Sequence, residues 1–190
     1  MRKLGIDRNR QVHQAFERPT DRLFWAILPD DDARRRIVER TARLRATHGL
    51  TGRALLPEHL HVTLFHVGDS AEAPTDGAIE AVTDRARSVV MPKFKVVFDR
   101  AMSFRHGAFV LASDEGTIGL DVLHQRLTDA FLRRPAPARA YTPHVTMLRD
   151  ARIVPEEDIE PISWTASEMV LVHSELGRTR HNRVARVPLG

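Results

Sequence analysis

Apolar and polar positions alternate between two periods along this chain, and the switches between them mark out its elements. Leu23 to Leu28 is a short apolar, aromatic-containing run stopped by Pro29, the pattern of a buried strand. Ala33, Ile37, Thr41 and Leu44 then recur at helical spacing, with Asp30 or Asp31 placed to accept from the free N–H groups of the first turn and Gly49 placed to close the end. This predicts a helix over Asp31 to Thr47. Leu60 to Val67 returns to period two, with Leu60, Val62, Leu64 and His66 on one face and His61, Thr63 and Phe65 on the other.

Thr75 to Val90 reads as a second helix that stops before Pro92. Phe94 to Met102 and Phe109 to Ala112, rich in β-branched and aromatic residues, read as the strands of a hairpin. Leu120, Leu123, Leu127, Ala130 and Phe131 form an amphipathic stripe on a helix from Gly119 to Arg134, with Pro135 and Pro137 ending it in a loop. Tyr141 to Leu148, Met169 to Leu176 and Val184 to Leu189 are the remaining predicted strands, and Ser163 to Ser167 reads as a connection.

Two stretches share one order of parts. Strand Leu23 to Leu28, its helix and the His61 strand are followed later by strand Phe109 to Ala112, its helix and the His144 strand. The order does not recur a third time, which favours two related lobes over a solenoid.

Each copy ends on the same words, His61-Val62-Thr63 and His144-Val145-Thr146. A lone histidine on a half-buried strand is more often structural than catalytic, but no other of the ten histidines has Thr two positions on. Period-two spacing projects imidazole and hydroxyl side by side, so two such strands across a cleft would present two imidazoles and two hydroxyls to one phosphate. One neutral histidine can take a proton from water while the other, protonated, gives one to a departing ribose oxygen. The Thr63 and Thr146 hydroxyls can donate to nonbridging phosphate oxygens. This chemistry calls for no cofactor and no metal; His59 with His61 makes a His-x-His pair, but neither a cysteine nor a convincing third ligand accompanies it.

At 190 residues the chain can bury a real core, and its 42% hydrophobic and 28% charged residues are ordinary for a globular protein. No apolar run approaches the roughly 18 residues of a membrane span. The absence of cysteine excludes disulfides, thiolate metal sites and a cysteine nucleophile, and points to the cytoplasm. A net charge of +4 and a pI near 10.2 favour an anionic partner. Residues 1–20, with Arg2, Lys3, Arg8, Arg10 and Arg18 and no apolar stretch, read as a basic extension to a single domain over residues 21–190.

From Arg22 to Leu189 the sequence resembles the 2H phosphoesterase superfamily, and within it the 2′-5′ RNA ligase-like branch of RNA 2′,3′-cyclic phosphodiesterases. The resemblance rests on Arg22-Leu23-Phe24-Trp25-Ala26-Ile27, on Pro57-Glu58-His59-Leu60-His61-Val62-Thr63-Leu64 with Gly68, and on Tyr141-Thr142-Pro143-His144-Val145-Thr146-Met147-Leu148-Arg149. The closing segments Leu171 to Leu176 and Val184 to Leu189 are similar to the family as well. It implies an α+β, bilobal fold, with antiparallel sheets lining a central cleft and helices outside. It also implies opening of a 2′,3′-cyclic phosphate to a 2′-phosphate, with His61 as acid and His144 as base and, in some members, 2′-5′ joining of RNA ends.

Arg149 matches a motif arginine that resembles a phosphate clamp; beside Asp150 it could equally be a surface arginine. Two features depart from the pattern: His66, where relatives carry a bulky apolar residue, and the N-terminal extension. The partners implied are RNA ends or nucleotides bearing a 2′,3′-cyclic phosphate, for a monomer that binds no membrane. A noncatalytic RNA-binding module and a phosphodiesterase for a small cyclic phosphate such as an ADP-ribose derivative are the rival readings. Phe65, Phe104 and Tyr141 could stack on a base or sit in the core, and His13, His48, His106, His124, His173 and His181 read as surface or packing residues.

Overall fold

Eight strands form one antiparallel sheet in the order β6-β3-β4-β5-β2-β1-β7-β8, in a computed structural model that describes residues 18–132 and 141–190. In chain order these are β1 (Asp21–Ile27), α1 (Asp31–Thr47), β2 (Val62–Ser70), α2 (Asp76–Arg87), β3 (Phe94–Ser103), β4 (Ala108–Ala112), α3 (Ile118–Phe131), β5 (Val145–Arg149), β6 (Glu157–Ala166), β7 (Glu168–Glu175) and β8 (Arg180–Pro188). The expected extension, apart from its last three residues, and the loop at Pro135 and Pro137 fall outside the described residues, as does His13.

The α+β class and the duplicated order of parts are present. β1, α1 and β2 are mirrored by β4, α3 and β5, and both sets meet where β5 lies beside β2. The two expected sheets are two four-stranded halves of one sheet, joined at the single Cα pair Val62 and Val145. Each of the two equivalent helices reaches the other half: α1 packs on β5 and β6, and α3 on β2 as well as on β3 of its own half. One core therefore runs across the junction, from Trp25, Ile27 and Leu64 to Phe98, Phe109 and Met147. Trp25 has no exposed surface, and its truncation to alanine would cost about 3–5 kcal/mol.

The local signals act as the sequence suggests. The Asp30 carboxylate accepts from the Ala33 N–H at 2.8 Å, a cap worth about 1 kcal/mol. Gly49 takes φ 59° just past α1, where a side chain would be strained. The predicted hairpin is the β3–β4 pair.

Ser163 to Ser167 is not a simple connection. Most of it belongs to β6, an edge strand whose buried Ile159, Ile162, Trp164 and Ala166 face the core. Pro161 is tolerated because β6 lies at the sheet's edge, and its carbonyl accepts from Arg36 of α1 at 2.7 Å.

Candidate active site

The site is built at the junction of the two half-sheets. Val62 and Val145, opposite one another and fully buried, point into the core. Their neighbours must point to the other face. In this antiparallel register His61 lies across from Thr146, and Thr63 across from His144. The two His-Val-Thr segments thus interleave their imidazoles and hydroxyls on one surface.

Both strands then break period in the same place. Against β1, residues Thr63 and Phe65 pair with Ala26 and Trp25, which leaves Leu64 as an extra residue. Against β4, residues Thr146 and Leu148 pair with Val110 and Phe109, which leaves Met147 as the extra one. Each bulge follows its threonine and buries an apolar side chain. Strict alternation had put Phe65 with His61 and His66 with the core. The bulge reverses both: Phe65 packs on Phe131 of α3 at 5.0 Å between ring centres, and His66 faces the cleft. Arg149 is the counterpart of His66 in the second copy, three residues beyond Thr146 as His66 is beyond Thr63.

The two imidazoles are held alike. His61 Nδ1 lies 2.7 Å from the carbonyl of His59, and His144 Nδ1 lies 2.7 Å from the carbonyl of Thr142. A carbonyl only accepts, so each Nδ1 carries the proton and each Nε2 is left to act as acceptor when the ring is neutral or as donor when it is charged. Burial pushes both rings below the ordinary histidine value, against the opposing effect of these carbonyl bonds. Repulsion adds to it: His144 and then His59 act on His61, while Arg149 and then His106 act on His144. The two histidines and Arg149 are therefore close enough to sense one another's charge.

Arg149 forms no ion pair with Asp150. That carboxylate instead accepts from the N–H groups of Thr51 at 2.7 Å, Gly52 at 2.6 Å and Arg152 at 2.8 Å, and these bonds hold it below its usual range. The loop after α1 is thereby tied to the end of β5, and the exposed guanidinium of Arg149 has no carboxylate partner among the described residues.

Several side chains that sequence reasoning set aside surround this surface. Phe24 lies 5.0 Å from the His61 ring, and His181, from β8, lies 5.6 Å from His61 and 4.4 Å from His59. Burial first, and then repulsion by His61 and His59, depress the His181 imidazole to about 4. On the other side Phe104 meets the His144 ring edge-on at 4.9 Å and stacks on His106. Tyr141 donates its hydroxyl to the Thr63 carbonyl at 2.8 Å, and His124 of α3 donates from Nδ1 to the Leu64 carbonyl at 2.6 Å, so both brace the first bulge. The shared parity of His59 and His61 and the possible stacking roles of Phe104 and Tyr141 hinted at part of this; Phe24, His181, His106 and His124 gave no signal, because they arrive from β1, β8, the β3–β4 turn and α3. A cavity of about 660 Å³ opens beside Thr63 and His144. Among the described residues no group of three or more His, Asp or Glu side chains is arranged to hold a metal ion.

The model of the 2′-5′ RNA ligase superfamily matches residues 29–178. Of the solved structures, E. coli LigT complexed with NADP+ is 27% identical with a TM-score of 0.68, covering 90% of this chain and 99% of that chain. LigT complexed with 3′-AMP matches with 27% identity over the same shares and a TM-score of 0.69. A crystal structure of a phosphoesterase is 28% identical, again over 90% of this chain and 99% of that chain, with a TM-score of 0.70. Among proteins with curated descriptions none matches. The family match spans well over half of the sequence and includes both His-Val-Thr segments, so the chain belongs to the 2′-5′ RNA ligase superfamily, the 2H phosphoesterases.

Proposed function

We propose that this protein hydrolyses the 2′,3′-cyclic phosphate of an RNA end or nucleotide to a 2′-phosphomonoester, using His61 and His144 as its acid and base. The observation that carries this reading is the cross-strand exchange at Val62 and Val145, which sets each imidazole beside the hydroxyl of the other motif. The equal Nδ1 anchors support it, since they leave both Nε2 atoms free for proton transfer. Family membership supports cyclic phosphoester chemistry, and the complexes of LigT with 3′-AMP and NADP+ support a nucleotide as ligand.

In the step itself, water attacks phosphorus and gives its proton to the neutral Nε2 of His144. The bond from phosphorus to O3′ breaks, and O3′ takes the proton from Nε2 of His61. The product keeps phosphate on O2′ with a free 3′-hydroxyl, and each ring ends in the other's starting state. Thr63 and Thr146 donate to the nonbridging oxygens, where charge builds in the transition state. Arg149 contributes a fixed positive charge and a forked donor at the same phosphate.

The test is direct: incubate the protein with a nucleoside 2′,3′-cyclic phosphate and with a cyclic-phosphate-ended oligonucleotide, and locate the product phosphate by phosphorus NMR. Formation of the 2′-phosphomonoester is expected. A 3′-phosphomonoester, or no turnover of either substrate, would overturn the reading.

A further inference from the structure

We infer that Tyr141 and His124 are positioning residues for the reaction, which fix the Thr63 hydroxyl through the two backbone carbonyls of the first bulge; the part that hydroxyl plays at phosphate rests on the hydrolytic reading of the same site. A bulge leaves its extra residue out of the strand ladder, so the carbonyls around it need donors from elsewhere. At the first bulge both donors are side chains. The Tyr141 hydroxyl donates to the Thr63 carbonyl at 2.8 Å, and His124 Nδ1 donates to the Leu64 carbonyl at 2.6 Å. At the second bulge the Met147 carbonyl accepts from the Leu55 N–H at 2.8 Å, a backbone donor that only proline would remove. The two bulges are alike in register and held by different means.

The two side-chain donors are built as one unit. Their rings lie 3.9 Å apart at an interplanar angle of 13°, so each limits the rotation of the other. Burial, and then the charge of Asp121, push the Tyr141 phenol well above its ordinary value, and the hydroxyl stays a donor throughout the range in which histidines titrate.

The Thr63 carbonyl belongs to the peptide plane that leaves Thr63, and holding that plane holds the tilt of the Thr63 side chain toward His144, its cross-strand neighbour. His144 is anchored from the same stretch, by the Thr142 carbonyl 2.7 Å from its Nδ1. Residues 141–144 therefore set both members of one imidazole and hydroxyl pair: Tyr141 fixes Thr63, and Thr142 fixes His144.

Tyr141→Phe keeps the ring on His124 and removes only the hydroxyl. His124→Phe keeps a stacking ring and removes the Nδ1 donor, whereas His124→Asn returns an N–H donor near the place of Nδ1. In steady-state kinetics of the full chain with adenosine 2′,3′-cyclic phosphate, Tyr141→Phe and His124→Phe should each lower kcat by about 2- to 10-fold, the worth of one neutral hydrogen bond, with KM nearly unchanged. His124→Asn should recover most of the rate. Two double variants decide whether the effect passes through Thr63. Added to Thr63→Val, Tyr141→Phe should bring no further loss, because the hydroxyl it positions is already gone; added to Thr146→Val, it should bring its full factor. Losses that multiply in both backgrounds, or a rise in KM with kcat unchanged, would overturn the positioning role while leaving the hydrolytic reading intact. Calorimetry with inorganic phosphate runs the same two cycles in binding, without turnover. Absence of turnover in the wild type, with the coupling to Thr63→Val preserved in phosphate binding, would remove the hydrolysis and keep the positioning of Thr63.

Discussion

His61 lies across from Thr146, and His144 across from Thr63, because the two motif strands pair antiparallel at Val62 and Val145. Neither motif makes a complete half-site alone. Each imidazole takes its neighbouring hydroxyl from the other copy of the duplicated unit, so the proposed chemistry depends on the junction of the half-sheets. The crossed packing of α1 and α3 fixes that junction from the opposite face.

Loss of either imidazole should therefore be severe and its effects unequal by substrate. His61→Ala and His144→Ala should each lower kcat by about 10²- to 10⁴-fold, and the double variant should lose less than the product of the two. A cyclic substrate with sulfur in place of O3′ has a leaving group that needs little protonation. It should restore much of the rate in His61→Ala and little in His144→Ala. Restoration in His144→Ala alone would exchange the two roles.

The threonines should matter less than the histidines and equally to one another. Thr63→Val and Thr146→Val each remove one hydroxyl donor at nearly constant volume, and kcat should fall by about 10²-fold, the low end for an oxyanion donor. Thr→Ser at either position should recover most of the rate, because the hydroxyl returns. Unequal losses in the paired variants would argue that the phosphate does not sit between the two strands.

Much of this was legible in the sequence, and the parts that were not have physical reasons. The strands, helices and duplication followed from period and capping, as did the pairing of the two His-Val-Thr segments. The bulges at Leu64 and Met147 were not legible, because an extra apolar residue in an apolar run leaves no mark on the pattern; Phe65 and His66 were consequently assigned to the wrong faces. β6 was obscured by Pro155, Pro161 and four acidic residues, a composition that an edge strand tolerates and a central one does not. His181, His106 and His124 could not be connected to the site, since tertiary packing alone brings β8, the β3–β4 turn and α3 to it.

The depressed imidazoles set the pH dependence. The proposed acid–base pair requires one ring charged and one neutral, and burial lowers both rings in the free protein. The bell-shaped profile of kcat/KM, which reports the free protein, should then peak on the acid side of about pH 6.5. An anionic phosphate between the rings favours the charged form, so the profile of kcat should lie at higher pH. Rates measured from about pH 4 to 9 decide this; coincident profiles, or a kcat/KM maximum on the alkaline side, would contradict it.

His181 makes the fold itself acid-sensitive. Its imidazole is depressed to about 4, so between that value and its unfolded value near 6.5 the unfolded chain binds the extra proton and the folded one does not. The neutral ring costs nothing above that window. As pH falls through it stability is lost, by about 1–2 kcal/mol after allowance for the ring's partial exposure. His181→Phe keeps a ring against Phe24 and cannot be charged. Urea unfolding at about pH 7 and about pH 4.5 should show a smaller acid-induced loss in this variant than in the wild type, and equal losses would rule the effect out.

Gly52 offers a way to move Arg149 without touching it. A Cβ at position 52 would come within 1.9 Å of the Arg149 carbonyl oxygen and 2.9 Å of its carbonyl carbon. Both are backbone atoms, in a strand end already held by the Asp150 carboxylate through Thr51, Gly52 and Arg152, so the contact cannot be relieved by a side-chain rotation. Gly52→Ala should therefore displace the end of β5 and with it the guanidinium. If Arg149 binds phosphate, its loss removes a charge-assisted hydrogen bond, and Arg149→Ala should lower kcat/KM by about 10- to 100-fold. Gly52→Ala should lose a comparable factor while retaining the His61 and His144 pair. The double variant decides whether the two act through one group: combined, they should lose little more than Arg149→Ala alone, because the displaced arginine is already gone. Losses that multiply would show that Gly52 serves some other part of the site.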